Sequence, residues 1–128
     1  MANFIDNAGK NGDGTLMPQT FIQDATNPKR KAFIEGYVKT YSPPNGRIPS
    51  PVSAAQGYDS IYLLAAAMKQ AGTTDGPKVR EALENITEKV DGVVTTYAKP
   101  FSKDDHEAIK MGVPVFGEVK GGRVVLAK

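Results

Sequence analysis

Ala55-Gln56-Gly57-Tyr58-Asp59 is the stretch of this chain whose side chains are best suited to recognising a small molecule. Gln56 carries an amide that both donates and accepts, and Tyr58 carries an aromatic wall with a polar tip. Both stand on a helix otherwise built from small apolar residues. Gly57 costs that helix roughly 1 kcal/mol relative to alanine, so its presence predicts a close backbone approach. Ser53 lies just upstream, at the helix start, where unpaired amides favour an acceptor or an anion. Ser53, Gln56 and Tyr58 are therefore the candidate ligand-binding residues. The bland alternative is a Tyr58 packed in the core with its hydroxyl at the surface.

Other constellations fall short of chemistry. Lys10-Asn11-Gly12-Asp13-Gly14-Thr15 is similar to the centre of a calcium loop, but the first and last ligand positions fall on Gly9 and Thr20, which supply no carboxylate. It reads as a turn before a strand. His106 is the single histidine, in Lys103-Asp104-Asp105-His106-Glu107. Adjacent residues cannot all point at one ion, so a solvated loop is the expectation. Glu81, Glu84 and Glu88 lie along one side of a helix as surface carboxylates. No nucleophile elbow and no phosphate-cradling glycine loop occurs. No catalytic residue, metal site or cofactor is expected, and the chain is not read as an enzyme.

Composition narrows the field further. A chain of 128 residues suits one domain with a real core. Its net charge of +2 gives no argument for a nucleic-acid partner. The short Lys29-Arg30-Lys31 run reads as solvated helix surface. The absence of cysteine excludes disulfides and thiolate chemistry. No apolar run approaches the roughly 20 residues of a membrane span. The first residues, MANFIDNAGKNG, lack a basic region followed by an apolar stretch, so no signal peptide is read there. As written, the product is expected to remain cytoplasmic.

The elements that must position these residues are well punctuated. Residues 3 to 9 suit a short helix or turn, Asn11 to Gly14 a turn, and Thr15 to Phe21 a strand with Pro18 marking an edge or bend. Asn27 or Thr26 caps a helix with Pro28 at its first position, whose apolar face is Phe33, Tyr37 and Tyr41 with Ile34 and Val38. Ser42 to Ser50 is a loop. Ser50 then caps a helix that begins at Pro51 and stops at Gly72. From Ile61 to Met68 it is apolar nearly all round, which predicts burial on more than one side. Thr73 to Pro77 restarts a helix with Val79, Ala82, Leu83 and Ile86 on one face. Gly92 to Tyr97, Val113 to Val119 and Arg123 to Leu126 read as β segments, the last two joined by a Gly121-Gly122 hairpin.

The segments AAQGYDSIYLLAAAMKQAG (54–72), NFIDNAGKNGDGTLMPQTF (3–21), TTDGPKVREALENI, GVVTTYAKPFSKDDHEAI and PVFGEVKGGRVV occur in this order. Together the chain resembles the last third of the periplasmic solute-binding proteins of branched-chain amino-acid ABC transporters. The fold class this implies is α/β: a partial type I periplasmic-binding-protein lobe, made of a strand, three helices and C-terminal β segments. One partial domain is expected over 1–128, with an interlobe crossover segment at 1–25, a helical part at 26–90 and a β-rich part at 91–128.

The resemblance also implies a role. Such proteins hold a small ligand between two lobes and deliver it to a membrane permease, without catalysis. The groups that hold the ligand's carboxylate and ammonium map to segments before Met1. The start of the AAQGYDS helix maps to the cleft, with Tyr58 at an aromatic ligand-contacting position, and Met17-Pro18-Gln19 maps to an interlobe crossover. The implied compartment is the periplasm, and the implied partners are an amino acid or related molecule and an ABC permease. A second reading is a ligand-free remnant with a structural or interaction role. In either case the bare apolar faces predict a homo-oligomer, formed by exchange of helices or strands.

Overall fold

The computed structural model describes residues 2–128. Its elements run α1 (Ala2–Ala8), β1 (Leu16–Gln19), α2 (Pro28–Tyr41), α3 (Pro51–Ala71), α4 (Gly76–Glu84), β2 (Val90–Asp91), β3 (Thr96–Tyr97), β4 (Val115–Lys120) and β5 (Arg123–Leu126), with short 3-10 turns at Gly9–Gly12 and Pro44–Gly46. The architecture is mixed α/β. The backbone groups into two compact units, residues 1–54 with 114–128, and residues 55–113. The division falls inside α3.

In the first unit β1, β4 and β5 form an antiparallel sheet with β4 at its centre. Pro18 therefore lies on an edge strand, as expected, because proline donates no ladder hydrogen bond. Gly121 and Gly122 both adopt positive φ, 57° and 75°, the geometry a two-residue hairpin needs to match strand twist. Asp13 accepts a hydrogen bond from the Gly121 amide at 3.0 Å, so the calcium-loop look-alike is a turn that pins the hairpin. One sheet face carries the buried Gln19, Gly117 and Val119; the other leaves Leu16, Phe116 and Val125 exposed. Ile5, Phe21, Ile22, Phe33 and Ile48 complete the buried apolar set of this unit. Asn27 caps α2 by accepting from the Arg30 amide. Its aromatic stripe is graded: Phe33 is buried against Phe21, whereas Tyr41 is exposed and rests on Tyr37 at 4.7 Å between centroids.

In the second unit Asp75 caps α4 by accepting from the Lys78 amide. Val79 and Ala82 pack on Ala67; Ile86, Val90 and Tyr97 pack on Leu63. The buried residues of α3 are Ala55, Asp59, Leu63 and Ala67, a stripe at a spacing of four that keeps to one helix face. The expectation of burial on more than one side is corrected here, since Ile61, Tyr62 and Ala65 are exposed. The expected strand from Gly92 to Tyr97 is also corrected. It is a two-stranded ladder of two residues each, Val90 with Tyr97 and Asp91 with Thr96, around a loop whose amides go elsewhere.

Candidate functional site

The three sequence-predicted residues all lie on α3, but they do not converge. Ser53 is exposed and belongs to the first unit; Gln56 and Tyr58 are half-buried and belong to the second. Helical geometry puts residues i and i+2 about 200° apart around the axis, so Gln56 and Tyr58 leave the helix on nearly opposite sides. Gly57 is solvent-exposed, and nothing lies within 4 Å of where a Cβ would stand. The close approach expected from its cost is absent, and this residue is a correction to the sequence reading. The Gln56 carbonyl accepts a second bond from the Ser60 hydroxyl at 2.7 Å.

Tyr58 pairs instead with Tyr62, one turn on. Their rings lie 4.8 Å apart between centroids, tilted by 43°, and the Tyr58 hydroxyl donates to that of Tyr62 at 3.1 Å. This hydrogen bond is the largest reason that the Tyr58 phenol is pushed up to about 12, with desolvation and the neighbouring Tyr62 and Asp59 charges adding to it. A phenol of that kind stays neutral at physiological pH and keeps its proton to donate. The pair is a neutral aromatic wall with a polar tip, suited to packing an apolar group and meeting an acceptor.

Asp59, next in sequence, is buried, with 1% of its surface exposed. Its Oδ1 accepts from the Val93 amide at 2.7 Å, and its Oδ2 accepts from the Val94 amide and the Tyr97 hydroxyl, both at 2.9 Å. A buried carboxylate is stable only when so satisfied. Burial, followed by the Asp59 charge and its hydrogen bond, holds the Tyr97 phenol well above its ordinary range. Gly92 leaves room for the carboxylate: a Cβ there would overlap it and would stand 2.7 Å from the Thr95 carbonyl oxygen. Sequence reasoning passed over Asp59. Its position on the Ala55–Leu63–Ala67 stripe was the available signal, because an acid at a core position must find donors.

His106 is exposed in a loop, as expected, and has a partner there. Its Nε2 lies 3.0 Å from the Glu84 carboxylate, which also accepts from Arg80 Nε at 2.9 Å. Arg80 first, and then His106, hold Glu84 below the usual carboxylate range. Asp105 accepts from Lys110 and from the Glu107 amide, so the acidic run closes on itself. Arg80, Leu83, Glu84, Phe101 and His106 line a shallow open hollow. Among the described residues no group of three His, Asp or Glu side chains is placed to hold a metal ion. No described helix is long and apolar enough to cross a membrane.

The family model for periplasmic binding proteins matches residues 2–122. Among solved structures, a leucine binding protein from Thermotoga maritima is 27% identical, with a TM-score of 0.77 over 99% of this chain and 33% of that one. A type 1 periplasmic binding protein from Bordetella pertussis is 26% identical, with a TM-score of 0.71 over 97% of this chain and 35% of that one. A solute binding protein of an ABC transporter from Rhodopseudomonas palustris, in complex with benzoate, shares the fold at 23% identity and a TM-score of 0.66, over 96% of this chain and 31% of that one. No curated protein matches. The chain belongs to the periplasmic binding protein family. It spans about a third of the length of these solved relatives and has the fold of a partial type I periplasmic binding protein.

Proposed function

We propose that the chain supplies part of the solute-binding component of an ABC transporter for branched-chain amino acids or related small molecules. The observation that carries this is the family match over residues 2–122, together with the likeness to a leucine binding protein over 99% of the chain. The role is capture and delivery to a permease, without catalysis, and the compartment that fits is the periplasm. The benzoate complex among the structural neighbours widens the solute class beyond amino acids. Within this chain the candidate solute contact is Tyr58, an aromatic wall formed with Tyr62 on α3; the polar candidates Gln56 and Ser53 leave the same helix on faces turned away from it.

Leucine, isoleucine, valine and benzoate are the solutes to try, by thermal denaturation of the chain. A true ligand at a hundredfold excess over its dissociation constant adds about 2.7 kcal/mol of stability. Tyr58→Ala removes that gain while leaving the helical circular-dichroism signal intact. If none of the four raises the midpoint, solute capture by this chain is wrong. The second reading, a ligand-free oligomer, then stands. It is favoured by the exposed row of Leu16, Phe116 and Val125 on one sheet face and by exposed Ile61 and Tyr62 on α3, because a second copy is one way to cover such apolar surface. Light scattering distinguishes it: a mass of 13.7 kDa excludes the oligomer.

A further inference from the structure

Between Ala55 and Leu63, Asp59 is the one buried residue of α3. Ala55 before it is buried as well, and after it Leu63 packs against Ile86, Val90 and Tyr97, and Ala67 against Val79 and Ala82. In the turn that carries Gln56 and Tyr58 the buried stripe is thus continued by a polar contact. That contact is directional. Consecutive amides, Val93 and Val94, address separate carboxylate oxygens, and the Tyr97 hydroxyl adds a third bond to one of them. Two bonds to two oxygens fix the carboxylate plane, and an aspartate side chain has only two torsions between that plane and its Cα. Apolar burial would hold the helix against the loop but would tolerate rotation about the helix axis, because it is not directional. Three charge-assisted bonds do not tolerate it.

We propose that Asp59 is the positioning residue for the Gln56–Tyr58 turn, setting the rotation of α3 and hence the direction in which the Tyr58–Tyr62 pair faces. The functional side of this rests on the reading of that turn as a solute contact. Asp59 touches no solute itself. Its carboxylate occupies the amides of the 92–95 loop and transmits that loop's position to the neighbouring residue.

The test uses the full chain with Asp59→Asn and Tyr97→Phe. The first keeps the shape but turns one acceptor into a donor facing an amide; the second removes one donor and keeps the carboxylate. Amide hydrogen exchange of Val93, Val94 and residues 59–62 should quicken by about tenfold or more in Asp59→Asn, and by less in Tyr97→Phe, while residues 66–70 keep their rates. NMR contacts between the ring at position 97 and Leu63 on α3, which pack together, should change in the same order, because they report the rotation of the helix against the loop, a signature that loss of stability alone does not produce. Leucine affinity should fall in the same order with far-UV circular dichroism preserved. Exchange that quickens uniformly along the chain, or ring contacts identical to those of the unaltered protein, overturns the proposal. Should Asp59→Asn fail to fold, Tyr97→Phe decides by the same readouts. An unaltered chain that binds no leucine tells against the solute reading, whereas exchange and ring contacts still decide the hold of Asp59 over the turn.

Discussion

Residues 55–113 bury a carboxylate with a donor for every direction it needs: two amides and a phenol meet Asp59. Residues 1–54 with 114–128 bury an amide, Gln19, whose Oε1 has no hydrogen-bond partner among the described residues, although its Nε2 donates to the Pro18 carbonyl at 2.7 Å. Apolar groups do not divide in this way: each unit has a buried set, and Leu16, Phe116 and Val125 stand open in one, Ile61 and Tyr62 in the other. Buried acceptors are satisfied in nearly all native structures. For buried polar groups, the unit that answers its own demands is thus the one that bears Tyr58. The unit with demands left over includes Met17-Pro18-Gln19, the segment that the resemblance places at an interlobe crossover.

The contrast can be broken by substitution. Ile86→Ala should cost about 2–5 kcal/mol of unfolding free energy in urea, because Ile86 is 1% exposed inside the apolar cluster. Phe116→Ala, at 63% exposure, should stay within about 0.5 kcal/mol. Equal losses at the two positions would show that the sheet face is covered in solution.

Glycines sharpen the same comparison. Gly92→Ala forces a Cβ onto the Asp59 carboxylate and the Thr95 carbonyl oxygen, and overpacking of this kind costs typically about 1–3 kcal/mol. Gly117→Ala overlaps side chains, Val124 Cγ1 at 2.5 Å and Gln19 Cγ at 2.9 Å, and meets the Val125 carbonyl oxygen at an ordinary 3.6 Å. It should cost less than Gly92→Ala in paired urea titrations, because a side chain can rotate aside where the Thr95 carbonyl cannot. Gly57→Ala runs the other way. With open space around its Cβ, it should stabilise α3 by up to about 1 kcal/mol, read as a raised thermal midpoint. A loss instead would restore the close approach expected from the sequence.

The smallest effect concerns Glu84. Its folded carboxyl titrates below the ordinary value because Arg80 and His106 bond to it. A depressed carboxyl contributes stability above its unfolded pKa and loses it as pH falls through the folded value. Glu84→Gln should therefore lower the thermal midpoint slightly at neutral pH. The gap between the two proteins should close as the solution is acidified below the folded value. A gap that persists in acid would mean that the carboxylate charge contributes nothing.

Helix limits were legible because strong punctuation marks them. Pro28 and Pro51 open α2 and α3 and Pro77 lies in the first turn of α4, while Gly72 follows α3 with φ 65°. Gly121-Gly122 announced the β4–β5 hairpin for the same reason. The family resemblance was legible in the order of its segments. The pairing of β1 with β4 was not, since local periodicity carries no information about a partner so distant in the chain. The strand expected over Gly92–Tyr97 failed for a specific reason. Asp59 takes the amides of Val93 and Val94, so they cannot serve a ladder, and nothing local to that segment reveals the competitor. Gly57 misled because a helix glycine was read as a contact, when the space beside it is open. Ser53, Gln56 and Tyr58 suit a ligand by residue type, but residue type carries no angular separation on a helix.

The first unit is discontinuous: its central strand β4 reaches β1 only after residues 55–113 have been traversed. On a ribosome adding roughly 5–20 residues per second, β1 waits on the order of 5–20 s for its partner to emerge. During that interval Leu16 and the edge amides around Pro18 are exposed as an unpaired strand, while the intervening residues are already long enough to collapse on their own. Pro18, with no amide to offer, makes that waiting strand a poor template for a stray chain.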